Sequence, residues 1–229
     1  MIKLMGLITR KEGMTVEAFQ AYWRDVHAPM IARAPGLRRY VQNHSIAELY
    51  DKYPQAFDGI AEAWFDSLEA YEAAVASPAW QEAAVDAPNF IGKSARVMAT
   101  EVPIIDDFPS VRDRTSMAKY SGFLTRRPHL TVEAFQKHWR EVHAPLVVSE
   151  LTGMVRYVQS HALLETYGSE RPPAFDGVPQ AWFESVGAFP IGLGRRGNGP
   201  PTSPATVDSH NVFVQPIPSL VAREVVIVD

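Results

Sequence analysis

Two histidines occupy matching positions in two copies of one motif. The segment TVEAFQAYWRDVHAP, residues 15–29, returns as TVEAFQKHWREVHAP at residues 131–145, so that His27 matches His143. Each histidine follows a tryptophan by four residues, which places it on the apolar face of a predicted helix. A partly buried histidine there could transfer a proton near neutral pH. It could also bond to free carbonyls at the helix end, and position alone favours this structural role.

A predicted strand carries a second set of polar side chains. Its sequence RYVQNH is matched by RYVQSH in the second copy, with Tyr40 corresponding to Tyr157. Strand alternation places Tyr40 and His44 on one face and Asn43 on the other. The tyrosines and Asn43 could orient a substrate carbonyl or phenol, and His44 could contact the substrate. Ordinary cross-strand contacts are the alternative explanation for all of them.

Aromatic and acidic residues give a third set of candidates. Phe19 and Trp23 recur at helical spacing, and Trp64 lies on a predicted strand. Such residues are usually core, but together they could line an apolar pocket between helix and sheet. Asp58 precedes a glycine just before a strand, where a turn is its usual role and pairing with a histidine is less favoured. The candidate substrate-binding residues are therefore Phe19, Trp23, Trp64, Asp58 and His44.

The elements that position these residues occur twice in the chain. GLITRKEGMTVEAFQ matches GFLTRRPHLTVEAFQ, and AFDGIAEAWFDS matches AFDGVPQAWFES. The two copies are too far apart for a solenoid unit, so each repeat is the size of a domain. The sequence predicts repeat one at residues 1–105, a charged linker at 106–116 and repeat two at 117–229.

Each repeat is predicted to fold in the order β-α-β-β-α-β. In repeat one, apolar runs indicate strands at residues 3–9, 37–46, 59–65 and 94–105. A first helix begins after Thr15, a good N-cap, and a second is predicted at residues 68–85. Each repeat thus consists of two β-α-β halves. Together these halves form a ferredoxin-like α+β unit, in which both helices lie on one face of an antiparallel sheet. The other face requires cover, which the second repeat can supply.

The second repeat departs from this pattern at residues 187–212. The stretch GAFPIGLGRRGNGPPTSPATVDSHNV stands where repeat one has its second helix. Glycine and proline at this density predict that no helix forms. Either a loop replaces the helix, or two compensating frameshifts altered the coding sequence. Because that helix would form one wall of the cleft facing His143, we expect the working site in repeat one, around His27.

Composition excludes several classes of function. The formal net charge of −4 gives no general attraction to nucleic acid or to anionic membranes. The absence of cysteine excludes disulfides, thiol nucleophiles and cysteine-ligated metal, and it fits a reducing compartment. His27 and His44 lack an identifiable third ligand, so we predict no metal site. The N-terminal apolar run is too short for a signal sequence or a membrane span, and we expect a cytoplasmic protein.

The quoted motifs resemble those of the EthD family, within the dimeric α+β barrel superfamily. The resemblance covers nearly all of repeat one and the greater part of repeat two, and the helix motif W-x-x-x-H-x-P is fairly specific. It implies two ferredoxin-like repeats packed sheet to sheet as a pseudo-dimeric α+β barrel in one chain, with a further homodimer left open. In enzymes of the family, the histidine that matches His27 and His143 is the usual acid/base candidate.

The resemblance also implies a class of reaction. Relatives include an accessory protein of ether degradation, fungal decarboxylases of aromatic polyketides and a muconolactone methylisomerase, and these enzymes use no metal or organic cofactor. The expectation is therefore a cofactor-independent lyase or isomerase that acts on a small aromatic, polyketide-like or lactone metabolite by histidine acid/base catalysis. A non-catalytic accessory protein that binds a small molecule is the alternative, and a cofactorless or haem-dependent oxygenase is the third. The isomerase pairs its histidine with a cysteine, which this chain lacks, so that chemistry is not expected here.

Overall fold

A computed structural model of the protein describes residues 1–53, 55–106, 116–190 and 202–229. The strands and helices of repeat one are β1 (Ile2–Arg10), α1 (Val16–Tyr22), α2 (Ala28–Ile31), β2 (Arg39–Ser45), β3 (Gly59–Phe65), α3 (Leu68–Val75), α4 (Pro78–Asp86) and β4 (Ile91–Asp106). The predicted helix at residues 68–85 is divided in two. Pro78 cannot donate to the carbonyl of Ala74, which instead accepts from the Ser77 hydroxyl at 2.6 Å. Ser77 then caps α4.

The strands and helices of repeat two are β5 (Ala118–Gly122), α5 (Val132–His138), α6 (Ala144–Glu150), β6 (Met154–Ala162), β7 (Gly177–Phe183), α7 (Pro204–Val212) and β8 (Ser219–Val228). Both repeats therefore follow the predicted β-α-β-β-α-β order. Residues 107–115 of the predicted linker lie outside the described residues, as do residues 191–201. No helix in the part of the chain that the structure describes is long and apolar enough to cross a membrane.

The eight strands form one closed barrel in the order β1-β3-β2-β8-β5-β7-β6-β4. The two repeats are joined at their edge strands, because β4 of repeat one pairs with β6 and β8 of repeat two pairs with β2. The predicted pseudo-dimeric α+β barrel is confirmed. The repeats cover one another's open sheet faces, and backbone hydrogen bonds also join the two sheets into one.

A π-helical turn joins α1 to α2 and carries the first motif histidine at its end. In this turn, Trp23–His27, the carbonyl of Trp23 accepts from the N–H of Ala28, five residues further on. Pro29 has no N–H for the carbonyl four residues before it, which removes one α-helical bond at this point. A proline at this position is expected to kink or stop a helix, but here the helix widens and continues as α2. The same turn, Trp139–His143, precedes α6.

Helix α7 contradicts the prediction that residues 187–212 contain no helix. All glycines of that segment lie at residues 187–199, before α7 begins. Pro204 occupies the first turn, where a backbone N–H is not needed. Ser203 and Thr206 close a capping box around it. Averaging the glycine and proline content over the whole segment therefore concealed a short helix at its end.

The interior of the barrel holds a buried ion network that joins the two repeats. Lys3 Nζ lies 3.1 Å from Glu62 Oε1 and 2.9 Å from Glu101 Oε1. Lys119 Nζ lies 2.7 Å from Glu62 Oε2 and 2.9 Å from Glu224 Oε1. The side chains of Lys3, Lys119 and Glu62 are each only 1% exposed. Glu62 of repeat one is thus shared between a lysine of each repeat.

Candidate functional site

A cavity of about 140 Å³ lies in repeat two, between the sheet and the helical layer. Tyr157 and Ala181 belong to its sheet wall. Trp139 and His143 contribute from the π-helical turn, and Ala205 contributes from α7. The lining is mainly apolar and aromatic with a few polar groups, which is the usual character of a small-molecule site.

His143 is held at the cavity wall by a carboxylate. Its Nδ1 lies 2.8 Å from Asp208 Oδ2, and the histidine side chain is 9% exposed. The other carboxylate oxygen, Oδ1, lies 2.7 Å from His138 Nε2. Burial acts to raise the pKa of Asp208, but the hydrogen bonds from His143 and His138 outweigh it and the pKa is lowered. An ionised Asp208 accepts the Nδ1 proton, which leaves the lone pair of a neutral His143 on Nε2.

Tyr157 supplies a hydroxyl to the same cavity. Its oxygen accepts a hydrogen bond from Gln159 Nε2 at 3.3 Å, so its own proton is available to a bound molecule. Burial raises the pKa of Tyr157 to about 12, against the opposing hydrogen bond from Gln159. The hydroxyl therefore remains a donor at neutral pH. Nε2 of His143 likewise has no hydrogen-bond partner among the described residues.

The corresponding histidine of repeat one has a similar partner. His27 Nδ1 lies 2.9 Å from Asp86 Oδ2, and the Tyr22 hydroxyl donates to Asp86 Oδ1 at 2.7 Å. Asn89 also donates to Asp86 Oδ1, at 3.0 Å. Burial lowers the pKa of His27, against the opposing hydrogen bond with Asp86. His27 is therefore neutral at pH 7, and Asp86 ties α4 to the first helix.

The space beside His27 differs from the cavity in repeat two. In repeat one, Tyr71 and Trp80 pack against Phe65, with ring centroids 5.6 and 6.3 Å from that of Phe65. Trp80 lies in the first turn of α4, and Asp86 is the ninth residue of that helix. In α7 the corresponding aspartate, Asp208, is the fifth residue. Helix α7 thus lacks the turn that carries the tryptophan, and a turn at residues 186–188 stands in place of α3. The geometry contradicts the expectation that repeat one would hold the better-formed site.

Two predicted residues lie on the same face of the sheet as His27. Tyr40 accepts from Gln42 Nε2 at 3.1 Å, and burial raises the pKa of Tyr40 to about 12. His44 stacks on Trp23 with ring centroids 4.8 Å apart. Burial lowers the pKa of His44 to about 4, so that this ring is neutral at pH 7. Tyr40 and His44 therefore belong to the packed interface between the sheet and α1.

Two other predicted residues lie on the opposite face, and the structure separates them from His27. Asn43 points into the barrel and donates to the carbonyl of Ile60 at 3.0 Å. Trp64 donates to Glu101 Oε2 at 2.8 Å and belongs to the ion network of the interior. Strand alternation explains both positions, since their chain neighbours face the helices. Neither residue can wall or orient a site beside His27.

The last two predicted residues have structural contacts. Asp58 accepts from the backbone N–H of Arg10 at 2.8 Å and also binds the Arg10 guanidinium and the Tyr50 hydroxyl. It anchors the entry to β3 and does not pair with a histidine. Phe19 packs against Trp23 with centroids 5.6 Å apart and is fully buried in the core.

The sequence interpretation missed the aspartates that hold the two histidines. Asp86 ends the segment SPAWQEAAVD, and Asp208 ends the shorter segment SPATVD. The shared Ser-Pro beginning and Val-Asp ending were the available signal, and a four-residue difference in length concealed it. As for metal sites, no three histidine, aspartate or glutamate side chains are grouped as ligands within the described ranges.

Sequence comparison then decides the family. The model of the EthD domain matches residues 11–94 and 127–190, together more than half of the chain. The chain belongs to the EthD family. It carries the EthD domain twice, in agreement with the predicted duplication. No curated protein matches the chain in sequence.

Solved structures share its fold at low sequence identity. An anthrone oxidase-like protein is 11% identical with a TM-score of 0.65, and the match covers 98% of this chain and 91% of that one. A putative monooxygenase from Fusobacterium nucleatum is 8% identical with a TM-score of 0.56 and the same two coverages. An EthD family protein from Bacillus halodurans is 24% identical with a TM-score of 0.38, covering 44% of this chain and 99% of that one. For the anthrone oxidase-like protein and the monooxygenase, the likeness at these identities shows the fold alone.

Proposed function

We propose that repeat two binds a small aromatic or lactone-like metabolite and that His143 transfers a proton on it, in a cofactor-independent lyase or isomerase reaction. The observation that carries the proposal is the position of His143, whose ring lines the cavity while Asp208 holds its Nδ1. A buried histidine with one nitrogen fixed by a carboxylate is oriented to act as a base through the other.

The proposed step begins with proton removal from a carbon next to a carbonyl. The lone pair on His143 Nε2 takes the proton, and the electron pair of the broken C–H bond moves into an enolate. Asp208 stabilises the imidazolium that forms, and the Tyr157 hydroxyl donates to the enolate oxygen. Return of the proton to another carbon completes an isomerisation. Loss of a leaving group on the neighbouring carbon completes an elimination.

Deuterium incorporation tests this step without knowledge of the natural substrate. The full-length protein is incubated in D₂O with a panel of aryl ketones, phenols and lactones, and carbon-bound deuterium is followed by NMR. We expect incorporation next to a carbonyl in at least one compound. His143→Ala should lower its rate about 100-fold or more, the usual contribution of a positioned base.

His27→Ala is the matched control, because His27 has the same contact to an aspartate beside a packed core. It should leave deuterium incorporation nearly unchanged. Equal losses in the two variants would assign the exchange to both repeats and contradict a single site in repeat two. Binding of panel compounds without any incorporation would favour a non-catalytic accessory protein.

A further inference from the structure

We infer that the cavity of repeat two selects an uncharged compound with a single ring, such as a phenol or a cyclic ketone, over carboxylates and fused-ring compounds. This inference deepens the proposed function and rests on it for the role of His143. It follows from the volume, the charge and the lining of the cavity.

The volume limits the ligand to one ring. The cavity measures about 140 Å³, and an apolar cavity of about 150 Å³ is known to hold one benzene molecule. A second fused ring adds four carbons, which exceed this volume and would have to extend toward the open side of the cavity. The polyketide-like part of the expected substrate range is therefore too large for the cavity as it stands.

The charge of the lining disfavours an anionic ligand. The described lining contains no lysine or arginine. Its one carboxylate, Glu150, accepts from the Ser203 hydroxyl and from the backbone N–H of Ala205, so it faces the start of α7. A bound carboxylate would have to be desolvated without a permanently charged partner, which is strongly unfavourable. Protonated His143 could serve as that partner, but it would then lose the lone pair that a base requires.

Two polar groups of the lining, on Tyr157 and His143, suit a neutral oxygen function. Tyr157 has a free proton to donate to a carbonyl or hydroxyl oxygen, and Nε2 of His143 can accept a hydrogen bond from a hydroxyl. Trp139 and Phe213 add aromatic faces to the lining, against which a ring can pack. A single ring that carries one hydroxyl or carbonyl group can bond to Tyr157 or His143 and pack against these aromatic faces.

Three probe compounds separate these requirements. Phenol, benzoate and 1-naphthol are titrated into the full-length protein at neutral pH by calorimetry, and the indole N–H signal of Trp139 is followed by NMR to locate binding. We expect phenol to bind and to shift the Trp139 signal. Benzoate and 1-naphthol should each bind about tenfold more weakly or worse, the first for lack of a cation and the second for lack of room.

Two variants of α7 test where the probe binds. Ala205→Leu places three extra carbons in the cavity and should weaken phenol binding about tenfold or more. Val207→Leu enlarges a side chain on the same helix that is 46% exposed and outside the lining, so phenol affinity should not change. Thermal unfolding of both variants verifies that the fold is intact.

The outcomes separate this inference from the proposed function. Benzoate or 1-naphthol binding as tightly as phenol would overturn the inference, as would an absence of phenol binding or an equal effect of the two leucine variants. Phenol selectivity without deuterium incorporation in any ketone would uphold the inference and refute proton transfer by His143. Deuterium incorporation together with tighter binding of benzoate than of phenol would support proton transfer by His143 and overturn the inference.

Discussion

The buried ion network provides the sharpest test of how the two repeats are held together. Glu62 accepts from Lys119 at 2.7 Å and from Gln180 Nε2 at 2.6 Å, and it lies 3.1 Å from Lys3. Glu62→Gln removes the charge and replaces one carboxylate oxygen with an amide donor, which then faces one of the two ammonium groups. Breaking a buried pair by removing one partner costs about 3–5 kcal/mol. We expect the free energy of unfolding at pH 7 to fall by about that amount.

The effect should depend on pH in a defined direction. Burial acts to raise the pKa of Glu62, but the charges of Lys119 and Lys3 outweigh it, and the pKa is lowered from 4.5. A carboxyl group with a lowered pKa in the folded state contributes stability that is fully present above its unfolded pKa. That stability is lost as the pH falls through the folded value. The difference between wild type and Glu62→Gln should therefore be largest above pH 5 and shrink in acid.

Urea unfolding followed by tryptophan fluorescence at pH 7, 4 and 3 measures this difference. Glu224→Gln is the control, because Glu224 contacts Lys119 alone among these lysines and its side chain is 11% exposed. Its effect at pH 7 should be smaller, about 2 kcal/mol or less. A loss of less than about 1 kcal/mol for Glu62→Gln at pH 7, or a difference that does not shrink on acidification, would refute this role of Glu62.

Three further predictions concern the fold and the site. Gly59→Ala should destabilise the protein by several kcal/mol in urea unfolding, because the new Cβ would lie 2.4 Å from a buried tryptophan ring. Gly168→Ala meets nothing within 4 Å and should have little effect. Asp208→Asn should lower deuterium incorporation about 100-fold by favouring the wrong histidine tautomer, and Asp86→Asn should not lower it. Residues 1–105 expressed alone should self-associate, since β2 and β4 lose their partner strands, and a well-folded monomer in sedimentation would disprove this.

The fold could be predicted because its signals are local and occur twice. Thr15 and Thr131 each accept the N–H of the third residue after them, as a helix N-cap does. The strands also occur in both repeats, so their sequence patterns could be compared. Closing the two sheets into one barrel covers the open face of each. The pairing of His27 with Asp86 is different, because 59 residues separate them in the chain. Only the packing of α4 against α2, which directly follows His27, brings these two side chains together.

It was harder to predict which side chains of β3 face the helices and which face the barrel interior. A half-exposed strand alternates between polar and apolar residues, which shows its buried side. In this barrel the helices cover one face and the interior covers the other, and nearly all of β3 is buried. Trp64 could therefore be assigned to either face from the sequence, and the interior holds polar residues such as Glu62. The assignment of Trp64 to the histidine site was wrong for this reason.

Matching residues in two repeats need not have matching roles. In repeat one, Asp86 is bonded by Tyr22, His27 and Asn89, and Trp80 packs in the same helical layer, so the pair between histidine and aspartate acts as a clamp between helices. In repeat two, α7 is as long as α4 but begins four residues closer to its aspartate, so it lacks the turn before the aspartate. The same pair then lies beside open space. Because β4 and β8 each complete the sheet of the other repeat, repeat one is required for the barrel even if His27 transfers no proton. The absence of the turn before Asp208 thus leaves the same histidine–aspartate pair beside a cavity in repeat two and beside packed aromatic rings in repeat one.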